Sequence, residues 1–162
     1  MRDRTFAVLR RGVEAAMIAG VPQVIVPKIE EYLFLDHPEN ADLGPNLIDA
    51  LAKKVGKPLP EDLKWIAASA FHFGYSAFWG SAYAVTHERF RWRPWVGGLG
   101  LAALLHLITF TPWVAAVLIK AEEHPRHRTW KKEVVLITAP LTFGLLTALI
   151  YDNGPTGSDS EW

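Results

Sequence analysis

Residues 65–85, WIAASAFHFGYSAFWGSAYAV, hold no Asp, Glu, Lys or Arg. At 1.5 Å per helical residue, that run is long enough to cross a hydrocarbon core about 30 Å thick. A helix of this sequence places Ser69, His72, Ser76, Gly80 and Tyr83 on one face and Phe71, Gly74, Phe78 and Val85 on the other. A small, partly polar face packs against other helices, and a bulky apolar face suits lipid. The chain therefore reads as an integral membrane protein.

Three further runs have the same character. The spacing predicts spans over about residues 6–29, 65–86, 95–119 and 134–151. The expected fold is all-α: a four-transmembrane-helix bundle over residues 1–152, with a short amphipathic surface helix between spans one and two. The tail, residues 153–162, is acidic and turn-forming, and is expected to be disordered. The basic start, MRDRTFAVLRRG, leads into an apolar run as a signal peptide does. Glu14, Pro22 and Pro27 interrupt that run and no small-x-small cleavage site follows, so it reads as an uncleaved span.

Small residues mark the packing faces. Gly12, Ala16, Gly20, Gln23 and Pro27 share a face of span one. Gly98, Ala102, His106, Thr109, Trp113 and Ala116 share one of span three, with Leu101, Leu104, Leu105 and Ile108 elsewhere. Pro140, Gly144, Thr147, Ala148 and Tyr151 share one of span four. The expected helix-packing positions are Gly12, Ala16, Gly20, Gly80, Gly98, Ala102 and Gly144, together with Gly74 on the opposite side of its helix. Glu14 lies one turn from Arg10 and reads as an interfacial ion pair rather than a proton-carrying carboxylate. In the polar stretch 30–64, Leu47, Ile48, Leu51, Ala52 and Val55 form a helical stripe over about 45–56, stopped by Gly56 and Pro58. Trp65, Trp92, Trp95, Trp113 and Trp130 fall near span ends, as an interfacial aromatic belt requires.

Composition removes several functions. The 17 basic residues balance 17 acidic ones, which leaves no excess positive charge for nucleic acid. The absence of cysteine excludes disulfides, thiolate zinc sites and thiol catalysis. No phosphate loop, nucleophile elbow, paired-carboxylate site or zincin motif is present, so neither catalysis nor a metal site is expected. Four spans put both termini on one side of the membrane. That side carries Arg2, Arg4, Arg10, Arg11, Arg89, Arg91 and Arg93. The other carries Lys53, Lys54, Lys57, Lys64, Lys120, Arg126, Arg128, Lys131 and Lys132. The arginines before span one and the short, Arg-rich second loop favour cytoplasmic termini in a bacterial inner (plasma) membrane.

The candidate interior polar cluster is Gln23, His72, Ser76, Tyr83, His106 and Thr109. His72 lies about 11 Å from the start of its span and His106 about 20 Å from the far end of its own. Three readings stay open: imidazoles hydrogen-bonded across helices, a protonatable relay or small-ligand pocket, and axial ligation of a haem or chlorin by His72 or His106. Two axial histidines must meet at matching depth, and these two are about half a span apart. His37, His87, His124 and His127 are expected in loops, and the run HPRHR is expected to be solvated.

Span two reads His72, Phe73, Gly74, Tyr75, Ser76, Gly80, Tyr83 and follows a surface helix and a short turn. This segment resembles YagU-like small inner-membrane proteins of bacteria, in which a glycine usually stands at the position of Ser76. Such proteins carry a second His-x-x-Tyr-Gly in span four. Here that place holds Thr142, Phe143, Gly144 and Leu145, without the histidine or the tyrosine. The resemblance implies the four-helix fold and brings no activity with it. The expected role is a structural or accessory one: a non-catalytic, cofactor-free component that meets the lipid bilayer and either a membrane-protein partner or further copies of itself. The alternatives are a haem- or chlorophyll-type pigment-binding subunit and a proton-linked small transporter or stress-response membrane protein.

Overall fold

The computed structural model of the chain describes residues 2–35, 43–110 and 128–154. Among the described residues all regular structure is helical: α1 (Arg2–Phe34), α2 (Leu43–Lys54), α3 (Glu61–Phe90), α4 (Pro94–Phe110) and α5 (Trp130–Asn153). Trp113, Ala116, His37, His124, His127 and most of the expected tail lie outside the described residues, as does the expected end of span three.

The helix ends follow local chemistry. α2 closes at Gly56, whose φ of 73° is open to glycine at no steric cost. There Gly56 N–H donates to Lys53 O and Lys57 N–H to Ala52 O, the paired bonds of a left-handed cap. α3 starts four residues before the uncharged run because Glu61 and Asp62 suit the positive end of a helix. It ends at Arg91, a non-glycine residue in the left-handed region at φ 48°, a conformation that costs about 1–2 kcal/mol. α4 then begins on Pro94, whose missing N–H costs nothing at a first helical position. Thr129 caps α5 by accepting from the Lys132 N–H at 3.3 Å. α1 continues through Pro22 and Pro27, and its polar ends extend it beyond the apolar run.

Two antiparallel pairs form the bundle, α1 with α3 and α4 with α5, and α1 packs on α5 to join them. Each pair crosses on facing glycines with an alanine one turn on. At the first crossing Gly12 and Ala16 meet Gly80 and Ala84; a Cβ on Gly12 would stand 2.6 Å from the Ala84 Cβ and collide with the Gly80 carbonyl. At the second, Gly98 and Ala102 meet Gly144 and Ala148; a Cβ on Gly98 would stand 2.9 Å from the Gly144 carbonyl oxygen. Such spacing brings backbones together and gains dispersion contact without large side chains. α2 lies on the N-terminal part of α3, where Gly44 faces Ala68.

All five face residues of α5, namely Pro140, Gly144, Thr147, Ala148 and Tyr151, are buried. α4 departs from expectation because Leu101 and Leu105 are buried beside Gly98 and Ala102. They fill the space between α4 and the alanines of α1, together with Tyr83, Phe143 and Tyr151. Gly74 is not a packing position: it faces outward, and nothing lies within 4 Å of where its Cβ would stand. Two helices, α1 and α5, are long and apolar enough to cross a membrane. α4 is apolar but shorter over its described residues.

Candidate functional site

The six expected interior polar residues do not form one cluster. They fall into three groups, separated along the bundle.

The first lies between α1 and α3. His72 Nε2 is 3.0 Å from the Gly20 carbonyl oxygen, and since a carbonyl only accepts, the ring holds its proton on Nε2. Ser76 is fully buried, and its hydroxyl stands 3.1 Å from where a Gly20 Cβ would be. Its Oγ and the Gln23 Oε1 are buried without a hydrogen-bond partner among the described residues. Pro22 lies two residues beyond Gly20, and the glycine lets the imidazole reach the α1 backbone and leaves room for the Ser76 hydroxyl beside it.

The second joins α3 to α4, which otherwise touch little. Tyr75 Oη and Thr109 Oγ1 are 3.3 Å apart. His106 lies one turn before Thr109 with its ring against Phe110, 5.5 Å between centroids, and its Nδ1 is buried without a partner. His72 lies about a turn before Tyr75. The Tyr75–Thr109 contact therefore falls between the two histidines, which do not meet.

The third group is at the end where the N-terminus of α1 meets the C-termini of α3 and α5. Tyr151, almost fully buried, donates its hydroxyl to the Glu88 carboxylate at 3.0 Å, and Arg4 reaches the same carboxylate at 3.8 Å. The Arg11 guanidinium sits 4.7 Å over the Tyr151 ring and donates to the Asp152 and Gly154 carbonyl oxygens, both at 3.3 Å. This cation caps the negative end of α5 while its charge meets an aromatic face. Tyr83 Oη lies 3.2 Å from His87 Nδ1, and His87 Nε2 lies 3.8 Å from Asp152. The tautomer that serves both neighbours accepts from Tyr83 at Nδ1 and carries its proton on Nε2, toward the carboxylate. Tyr83 also fills the space left by Gly97, where a Cβ would come within 3.0 Å of its hydroxyl. The rings of Tyr83, His87 and Tyr151 are mutual neighbours, 5.3–5.7 Å between centroids.

His87 was expected in a loop; it lies in α3, because the helix runs one turn past the uncharged segment. Of the expected residues only Tyr83 belongs to this polar end. In the sequence Arg11 falls among the arginines of the terminal side, and neither Glu88 nor Asp152 is singled out. The Tyr83/His87 spacing of four was the available signal. Glu14 pairs with Arg10 at 3.2 Å on the outside of α1.

An apolar depression on the outer surface of α1, lined by Val24, Ile25, Lys28, Ile29, Tyr32 and Leu33, includes none of the three groups. Among the described residues no three His, Asp or Glu side chains converge to hold a metal ion. His72 donates from Nε2 to a backbone carbonyl and keeps Nδ1 as the ring's acceptor, and His106 Nδ1 is buried without a partner among the described residues. No family model matches the chain, and no curated protein or solved structure matches it.

Proposed function

We propose that the chain is a four-span integral membrane protein of structural or accessory type, with α1, α3, α4 and α5 crossing a bacterial inner membrane and both termini cytoplasmic. One observation carries the reading: many large apolar side chains lie outside, while the helix crossings inside are built of small ones. Phe78 is 63%, Leu107 56% and Ile25 51% exposed, while Ala16, Ala19, Ala84 and Ala148 are fully buried. A water-soluble bundle buries its large side chains; a bundle in lipid gains nothing by doing so and packs through small ones. Exposed Trp65 and Trp130 at one end, with Trp92 and Trp95 at the other, agree with an aromatic belt. The resemblance of residues 72–83 to YagU-like inner-membrane proteins points the same way. α3 holds no membrane-length stretch as apolar as those of α1 and α5, because its uncharged run includes the polar side chains of His72, Ser76 and Tyr83. The sites support this role: each of the three polar groups contains a contact that ties two helices together. The protein acts as a non-catalytic component that packs with other membrane chains.

The absence of native cysteine makes the topology directly testable. Single cysteines at Asp3 and Arg91 should label with an impermeant maleimide from one side only, and cysteines at Lys54 and Thr129 from the other. Labelling of Arg91→Cys from the same side as Lys54→Cys would leave only α1 and α5 as spans. Recovery of the protein in the supernatant without detergent would remove the membrane reading altogether.

A further inference from the structure

Paired and unpaired basic side chains occur at both ends of the bundle: Lys54 and Lys57 are exposed without an ion pair among the described residues at one, and Arg4, Arg10 and Arg11 are engaged at the other. At the α2 end Lys28 pairs with Glu31, Lys53 and Lys64 with Asp49, and Arg128 with Glu133. At the opposite end Arg89, Arg91 and Arg93 stand exposed on the α3–α4 turn and make no ion pair or side-chain hydrogen bond with any described residue. The neighbouring acids are engaged elsewhere: Glu88 with Tyr151 and Arg4, and Asp152 beside His87.

We propose that this turn, residues 89–95, is a docking surface for the headgroups of anionic phospholipid. The inference rests on the membrane reading above. The turn is short and fixed: Arg91 N–H donates to His87 O at 2.7 Å, Arg91 is left-handed, and Pro94 starts α4 three residues later. Phe90, Trp92 and Trp95 are exposed among the three arginines, with Phe90 and Trp92 in ring contact at 5.2 Å. Amphipathic rings settle at headgroup depth and hold the turn there. Guanidinium forks then meet phosphate oxygens in pairs. A zwitterionic headgroup brings its own cation to that phosphate, so three uncompensated arginines favour a headgroup of net negative charge. The preference is expected on the order of fivefold for each arginine.

The test uses the full chain in a neutral detergent, titrated with phosphatidylglycerol or phosphatidylcholine, with bound lipid counted by native mass spectrometry. The wild-type chain should retain phosphatidylglycerol preferentially, R89Q/R91Q/R93Q should lose the preference, and K53Q/K54Q/K57Q should keep it. If the triple variant does not fold, the wild-type chain in about 0.5 M salt decides the matter, because screening must collapse the preference. Equal retention of both lipids, or a preference that survives in the triple variant or at high salt, overturns the proposal. Displacement of the lipid by millimolar inorganic phosphate would show a free-anion site instead, and displacement by an acidic peptide a protein-docking site; either overturns it. A chain that needs detergent yet shows no lipid preference leaves the membrane reading standing, whereas one soluble without detergent removes both.

Discussion

The glycine crossings at mid-bundle and the polar end hold the same helices by opposite means. At Gly12–Gly80 and Gly98–Gly144 the backbones touch, and the contact is lost if any side chain is added. Where Arg11, Tyr151 and Glu88 meet, long side chains span the gap and their polar tips carry the connection. A crossing therefore fails when size is added, while the polar end fails when a donor or charge is removed. The second crossing repeats the first, with Gly-x-x-x-Ala on all four helices, so each pair is an independent test of the same rule.

The sharpest way to break the comparison is to add bulk. Gly80→Leu should force α1 and α3 apart and cost about 3 kcal/mol, near the upper range for overpacking. Loss of helical circular dichroism on titration with a denaturing detergent measures it. Gly74→Leu is the matched control on the same helix and should stay within about 0.5 kcal/mol, because its position is open. Equal effects at the two positions would refute the crossing as the holding contact.

Arg11→Met comes next. It keeps most of the side chain's length, removes the cap on α5 and the charge over Tyr151, and should cost about 2 kcal/mol in the same titration. A Met that costs nothing would make the polar end ornamental to stability. Gly98→Met is the complementary exchange: there the same side chain should be worse because bulk itself is excluded.

What could be read from the sequence divides along the same line. Small residues at intervals of four state a packing face directly, and Gly12, Ala16, Gly80, Gly98, Ala102 and Gly144 all sit at the crossings. Periodicity also marked the buried face of α5. It does not say which face of α4 accepts leucines, since Leu101 and Leu105 are buried by the alanines opposite, a property of the partner helix. The polar end was illegible for a different reason. Arg11 and Asp152 are 141 residues apart and meet only after three helices align, and a charge at a helix end carries the same local signature whether it is solvated or committed. His87 was misplaced because the uncharged run was equated with the helix. The interior polar residues were grouped by their inward facing, although counted depths already set His72 and His106 about half a span apart.

His72 tests whether the crossings need polar help. His72→Phe keeps the ring and removes the bond to Gly20 O, and should cost about 0.6 kcal/mol, the ordinary worth of such a bond between helices in a membrane. A loss of several kcal/mol would place His72 among the holding contacts and blur the distinction between crossing and polar end.

The smallest effect belongs outside the bundle proper, where the Asp49–Lys64 ion pair joins α2 to α3 beside the packing of Gly44 on Ala68. Hydrogen bonds from Lys53 and then Lys64 hold the Asp49 carboxyl below the usual carboxylate range, and Asp49 and Glu61 raise Lys64 in turn. For a depressed carboxylate, the stabilisation is complete above its unfolded value near pH 4 and is lost as pH falls through the lower folded value. For Lys64 it is complete below about pH 10.4 and is lost as pH rises through the raised folded value. Between those limits α2 should dock with constant strength. Amide hydrogen exchange across residues 43–54, normalised to intrinsic rates and compared with α3, should therefore be flat from about pH 5 to 9 and accelerate below about pH 4. Asp49→Asn should show the accelerated exchange already at neutral pH, while protection at Gly12 and Gly80 stays unchanged. If acid loosened the crossings together with α2, charge would reach the contacts assigned to backbone proximity, and the separation between the two kinds of contact would fail.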